Sequence, residues 1–241
     1  MTITIRPTKH LVRVYELLVR TYGEPKNEPD YDPLGGLIGT ILSQHTSDIN
    51  SDRAYEQLVE TFSTWEDVRD APTAKIVEAI KCGGLANIKS VRIQDVLQTL
   101  TEQQQERGGT KTLSVFLYDE LARRTTEEAL RYLRELPGVG PKTAACVLMF
   151  NLDRPTFPID THVWRTTRRL GLIGPNVSAD AAHTFFTKIT PPEWVYPLHV
   201  NLIRHGRQIC HAQRPECDRC PLFDECAYVG SVIPQEVAAS N

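Results

Sequence analysis

The chain is 241 residues long, 41% hydrophobic and 24% charged, and 27 Lys and Arg against 30 Asp and Glu leave a net charge of -3. That length has room for one large domain or two modest ones, and the composition excludes disorder of the whole chain, which needs few apolar residues and high net charge together. The longest uncharged apolar run, Thr143 to Leu152, reaches about half of a membrane span, and charges recur through residues 1–20 where a signal peptide would need an apolar core. The sequence therefore implies a soluble cytoplasmic protein with no membrane partner.

In chain order the pattern is helical almost throughout. Only Thr2 to Arg6 alternates like a strand, and it is too short to found a sheet. Leu11, Val14, Tyr15 and Leu18 recur at helical spacing between a candidate cap at Thr8 and a stop at Gly23. Asp32-Pro33 opens an apolar helix through Leu42, with proline where a first-turn amide is unpaired in any case. Further helical segments fall at about 48–62, 64–70, 73–81 (ending at Gly83-Gly84), 88–100, 113–123, 126–135, 142–150, 161–170, 178–188 and 194–206. Gln103 to Thr110 is polar and contains two glycines, which reads as a loop or surface insertion. The fold class is all-α.

The charge is unevenly spread. Residues 131–220 hold twelve Lys and Arg against seven Asp and Glu, while 1–130 hold fifteen against twenty and 221–241 none against three. Arg165, Arg168, Arg169, Arg204, Arg207, Arg214 and Arg219 belong to the basic part. Such a patch is compatible with nucleic-acid binding and equally with a solvated face.

Four of the six cysteines fall together as Cys210-x6-Cys217-x2-Cys220-x5-Cys226. Four thiolates this close can surround zinc or an iron–sulfur cluster, and spacing leaves the two open. Paired disulfides are the third option, disfavoured in a reducing cytoplasm. Cys82 and Cys146 sit among apolar neighbours and read as small core residues.

Between two helical patterns lies Leu136-Pro137-Gly138-Val139-Gly140-Pro141-Lys142-Thr143-Ala144. Pro137 ends one helix, Gly138 and Gly140 permit a tight hairpin, and Pro141 starts the next helix. The free amides of such a turn can face a phosphate without any side chain; a plain helix–helix turn has the same pattern. Lys142 falls in the first helical turn, where the dipole disfavours a further positive charge, and a neutral lysine is a nucleophile able to form a Schiff base. Asp160, in Pro158-Ile159-Asp160-Thr161-His162, is an N-cap by default. Facing a cleft, its carboxylate could also take a proton or oppose charge developing on a sugar. His162 is as suited to a structural hydrogen bond as to chemistry.

The hairpin, the Lys142–Asp160 spacing of eighteen positions and the cysteine tail together resemble the endonuclease III family of base-excision DNA glycosylases, in the helix-hairpin-helix superfamily. The similarity runs from about Pro33 to Tyr228 and includes Leu42-Ser43-Gln44-His45-Thr46-Ser47-Asp48 and His205-Gly206-Arg207. It implies a [4Fe–4S] cluster on Cys210, Cys217, Cys220 and Cys226. It also implies two helical domains with a cleft between them: 28–154 as a six-helix domain bearing the hairpin, and 1–27 with 155–241 as the cluster domain. Damaged double-stranded DNA would be the partner of a monomer in the cytoplasm, at the nucleoid. A base flipped into the cleft would be released by attack of Lys142 on C1′ with Asp160 assisting, and β-elimination would nick the strand.

Gly138, Val139 and Gly140 would hold the backbone, Arg214 and Arg219 would meet phosphates, and Gln44 or His45 together with Leu85 would fill the gap left by the flipped base. The chain departs from the family in three places. His45 stands where a glutamine is expected, Ala86 where a bulky tyrosine is common, and 100–121 is longer than in short bacterial members. The leading expectation is a bifunctional glycosylase/AP lyase for oxidised pyrimidines. A glycosylase for mismatched G·U or G·T, or for A opposite 8-oxoguanine, shares the scaffold, and a non-catalytic DNA-binding module lacks a reason for both Lys142 and Asp160.

Overall fold

The computed structural model describes residues 8–232, and among these there are helices and turns and no strand. The alternating stretch Thr2 to Arg6 lies outside the described residues. The chain divides into two compact units, 28–154 and 1–27 with 155–241.

Within 28–154 the organising element is α2 (Pro33–Leu42), capped by Asp32 Oδ1, which accepts from the Gly35 amide at 3.1 Å. Its sequence PLGGLIGTIL is apolar on every side, which suits only a buried helix. Leu34, Leu37, Ile38, Ile41 and Leu42 are accordingly fully covered. Around it pack α3 (Asp48–Thr61), α6 (Ala86–Glu106), α7 (Leu113–Ala122) and α9 (Pro141–Cys146). Three further helices, α4 (Trp65–Asp70), α5 (Thr73–Ala79) and α8 (Thr126–Glu135), complete the unit. Capping boxes fix two of these: Thr64 with Asp67 on α4, and Thr125 with Glu128 on α8.

Two boundaries differ from the sequence pattern. Gln103 to Thr110 is not all loop: α6 continues to Glu106 because Gln104 shares its buried stripe and donates to the Lys111 carbonyl, and the turn closes at Gly108 with φ 65°. The segment 100–121 is thus the end of α6 and most of α7, pinned where Glu120, 4% exposed, accepts from Arg107, Arg123 and Arg124. After Cys146, α9 widens into a π turn at Val147–Asn151. There Asn151 Nδ2 donates to Asp30 Oδ1 at 2.9 Å and the Asn151 carbonyl accepts from the Tyr31 amide. These ties to the chain preceding α2 replace the regular helical ladder. Cys146 is buried, while Cys82 is half-buried against the same core.

The second unit contains α1 (Lys9–Tyr22), α10 (Thr161–Leu170), α11 (Ala179–Ile189), α12 (Pro192–Gln208) and α13 (Ala227–Val232). α1 is capped by Thr8 and stopped by Gly23 at φ 81°. Leu11, Val14 and Leu18 are fully buried, and Tyr15 stacks on Trp194 of α12 at 4.2 Å between ring centres. α10 crosses α12 at Gly206, where a Cβ would meet His162 Cβ at 2.9 Å. Hence a small residue is required where these two helices touch. No helix among the described residues is long and apolar enough to cross a membrane.

Candidate functional site

In the 28–154 unit, α8 ends at Glu135 and the chain turns through Leu136 to Gly140 into α9. Gly138 has φ 70° and Val139 is buried, its amide donating to the Leu136 carbonyl at 3.2 Å. Gly140 caps α9 without any side-chain acceptor, so the first amides of that helix carry no capping side chain. Lys142 stands in this first turn, half-buried.

Two more loops of the same unit carry the expected gap-filling residues. Beyond α2, Gln44 Oε1 accepts from Arg92 at 2.6 Å, and the Arg92 side chain lies against the hairpin so closely that a Cβ on Gly138 would sit 2.3 Å from its Nε. Gln44 is therefore engaged, whereas His45 is exposed and holds φ 54°. Before α6, Leu85 is 50% exposed with φ 51°. Left-handed backbone at residues that bear a Cβ is unfavourable and concentrates at functional positions. Beneath both loops lies Lys89, 1% exposed, whose ammonium donates to the carbonyls of Leu42 at 2.7 Å and Gly83 at 2.8 Å. Burial pulls its pKa below the usual lysine value.

In the second unit Asp160 caps α10, its Oδ1 accepting from the Val163 amide at 2.7 Å. His162 Nδ1 lies 3.1 Å from Arg165, which itself donates to the carbonyls of Cys210 and Gly206, so His162 belongs to a bracing network. Cys210, Cys217, Cys220 and Cys226 line one cavity together with His205, Arg169 and Tyr228. Burial pushes the Cys220 thiol up to about 11 and raises Cys217 also. His205, closed off beside Tyr22 at 3.0 Å, is driven down to about 4 by burial and is neutral near pH 7.

The basic stretch is less available to a partner than its count suggests. Arg169 donates to the carbonyls of His211 and Ala212 and stacks on Tyr228; Arg204 donates to the Tyr22 carbonyl; Arg168 lies over Trp164. Arg214 and Arg219 remain exposed, Arg219 paired with Glu216 at 2.6 Å. Among the described residues no three His, Cys, Asp or Glu side chains are gathered as a single-ion site. Four thiols around one cavity are a donor set that fits a thiolate-held metal centre.

An all-helical scaffold, a glycine hairpin leading into a lysine-bearing helix, and a cysteine-lined loop define a helix-hairpin-helix DNA repair protein. Residues 38–192 match the family model described as HhH-GPD superfamily base excision DNA repair protein. Endonuclease III of Thermotoga maritima is 30% identical over 204 residues, covering 85% of this chain and 87% of that one. Endonuclease III of Rickettsia felis is 31% identical over 222 residues, covering 92% and 95%. The solved structure of a trapped covalent intermediate of endonuclease III with DNA superposes with a TM-score of 0.74 at 27% identity, over 93% of this chain and 98% of that one. The chain belongs to the endonuclease III family of the HhH-GPD superfamily. It is a base-excision DNA glycosylase with lyase activity at abasic sites.

Proposed function

We propose that the chain removes oxidised pyrimidines from damaged duplex DNA and nicks the strand through a Schiff base on Lys142. Support comes from Lys142 in the open first turn of the helix that follows the hairpin, in a chain similar to one trapped as a covalent endonuclease III–DNA intermediate.

The lysine amine attacks C1′ of the flipped nucleotide, the glycosidic bond breaks, and the base leaves with the bonding electrons. The proton lost by the lysine passes to a general base, the role that the family resemblance gives to the Asp160 carboxylate. Protonation of O4′ as the sugar ring opens gives the protonated Schiff base; a general base removes the C2′ proton, the C3′–O bond breaks with the 3′ phosphate as leaving group to nick the strand, and water hydrolyses the remaining imine to free Lys142. Gly138 and Gly140 present backbone amides to a phosphate, a contact that carries no base information, while the buried Val139 closes the turn through its amide on the Leu136 carbonyl. Leu85 and one of Gln44 and His45 occupy the space vacated by the flipped base, and Ala86 leaves more room beside Leu85 than the family's tyrosine. The enzyme acts as a monomer on nucleoid DNA in the cytoplasm.

Cys210, Cys217, Cys220 and Cys226 would hold the [4Fe–4S] cluster. Bound there, it supplies a rigid cross-link through four thiolates. The loop bearing Arg214 and Arg219 is braced meanwhile by Arg165 and Arg169, whose donors end on the carbonyls of Cys210 and His211.

Incubation with duplexes containing thymine glycol, a G·T mismatch, or A opposite 8-oxoguanine tests the substrate class. Release of thymine glycol with strand scission supports the reading, and scission only at the mismatch or the adenine overturns it in favour of a mismatch enzyme on the same scaffold.

A further inference from the structure

Among the described residues, the most deeply buried cation has no part in the chemistry above. Lys89 is 1% exposed and sits in the first turns of α6, where the helix dipole and the loss of water both oppose its charge. Its two charge-assisted hydrogen bonds run to the Leu42 carbonyl, at the end of α2, and to the Gly83 carbonyl. The first lies at the carbonyl end of a largely buried helix, where a cation is favoured.

These two carbonyls begin the two loops that carry His45 and Leu85. Both residues are exposed, both bear a Cβ, and both hold left-handed backbone, at φ 54° and 51°. The second loop is fixed on its other side as well, since a Cβ on Gly83 would meet Ala54 Cβ of α3 at 2.9 Å. Gln44, the alternative to His45, is held by Arg92.

We infer that Lys89 is a positioning residue that locks the His45 and Leu85 loops into one two-pronged wedge for the gap left in duplex DNA. His45 rather than Gln44 is then the outward prong. Because the prongs share one anchor, they enter the duplex together, and loss of the anchor weakens work on paired DNA far more than attack on an abasic sugar that needs no flipping. This inference rests on the reading that Lys142 attacks an abasic sugar.

The test uses the full chain and borohydride trapping on one abasic strand, offered single-stranded and then annealed to its complement. In Lys89→Met, of similar length but with no donor, the duplex-to-single-strand ratio of trapping falls at least tenfold, with KM for the duplex carrying most of the change. An unchanged ratio in a variant of normal helicity overturns the clamp and leaves the Lys142 reading intact. No trapping by the wild type on either substrate overturns both. Should Lys89→Met fail to fold, the exposed pair gives the answer on its own. His45→Ala and Leu85→Ala combined should cost little more on duplex than the worse single variant, whereas multiplicative losses would show two independent loops.

Discussion

Replacing the two hairpin glycines by alanine separates what the backbone needs from what DNA needs. At Gly138 the φ of 70° is unfavourable for any residue with a Cβ, and the new methyl carbon would lie 2.3 Å from Arg92 Nε and 2.6 Å from Cδ. The left-handed term costs about 1–2 kcal/mol, and moving Arg92 also releases Gln44, which it holds at 2.6 Å. At Gly140 φ is -89° and nothing lies within 4 Å of an added Cβ. There alanine gains about 0.4–1 kcal/mol by restricting the unfolded chain. The two variants should therefore differ by roughly 1.4–3 kcal/mol, which for a chain of this size is about 3–12 °C in Tm. Thermal unfolding of both full-length variants, followed by circular dichroism at one concentration and buffer, measures that difference. Both alanines would crowd the hairpin backbone that is proposed to face a phosphate, so both should weaken duplex binding while only Gly138→Ala loses stability. Equal melting temperatures would refute the assignment of the left-handed turn to Gly138.

Lys142→Ala should abolish borohydride trapping and strand nicking with little change in melting temperature, since its half-buried side chain is not part of the core. Asp160→Asn keeps a good N-cap and should lower turnover at nearly constant Tm, while Asp160→Ala should lose turnover and about 1 kcal/mol of stability. Cys220→Ser should strip iron and visible colour from purified protein, read by metal analysis per chain. Glu120→Ala leaves three arginines without their shared carboxylate and should cost about 2 kcal/mol in urea unfolding, with nicking unaffected at low temperature.

Much of this was legible from local signals. α2 announced itself through its Asp32-Pro33 start and apolar run, and Pro137, Gly138, Gly140 and Pro141 punctuate the hairpin by backbone chemistry alone. Position in space was the harder part. Lys89 reads as a solvated lysine until the stripe Ile93, Val96, Leu97 and Leu100 is carried back one turn, which lands on it; that period was the available signal. The same stripe carried forward reaches Gln104, which is why the polar run is helix where composition indicated loop. Arg165, Arg169 and Arg204 counted toward a basic stretch that could be DNA-facing or merely solvated, because sequence counts charges without their partners, and here the partners are carbonyls distant in the chain.

The most direct test of the central claim is borohydride trapping of wild type and Lys142→Ala on duplexes bearing thymine glycol or a plain abasic site. The account predicts a covalent protein–DNA adduct on both duplexes for the wild type and on neither for Lys142→Ala. An adduct that survives the substitution would contradict it by showing that another amine is the nucleophile, and its absence from the wild type would remove the Schiff-base mechanism altogether.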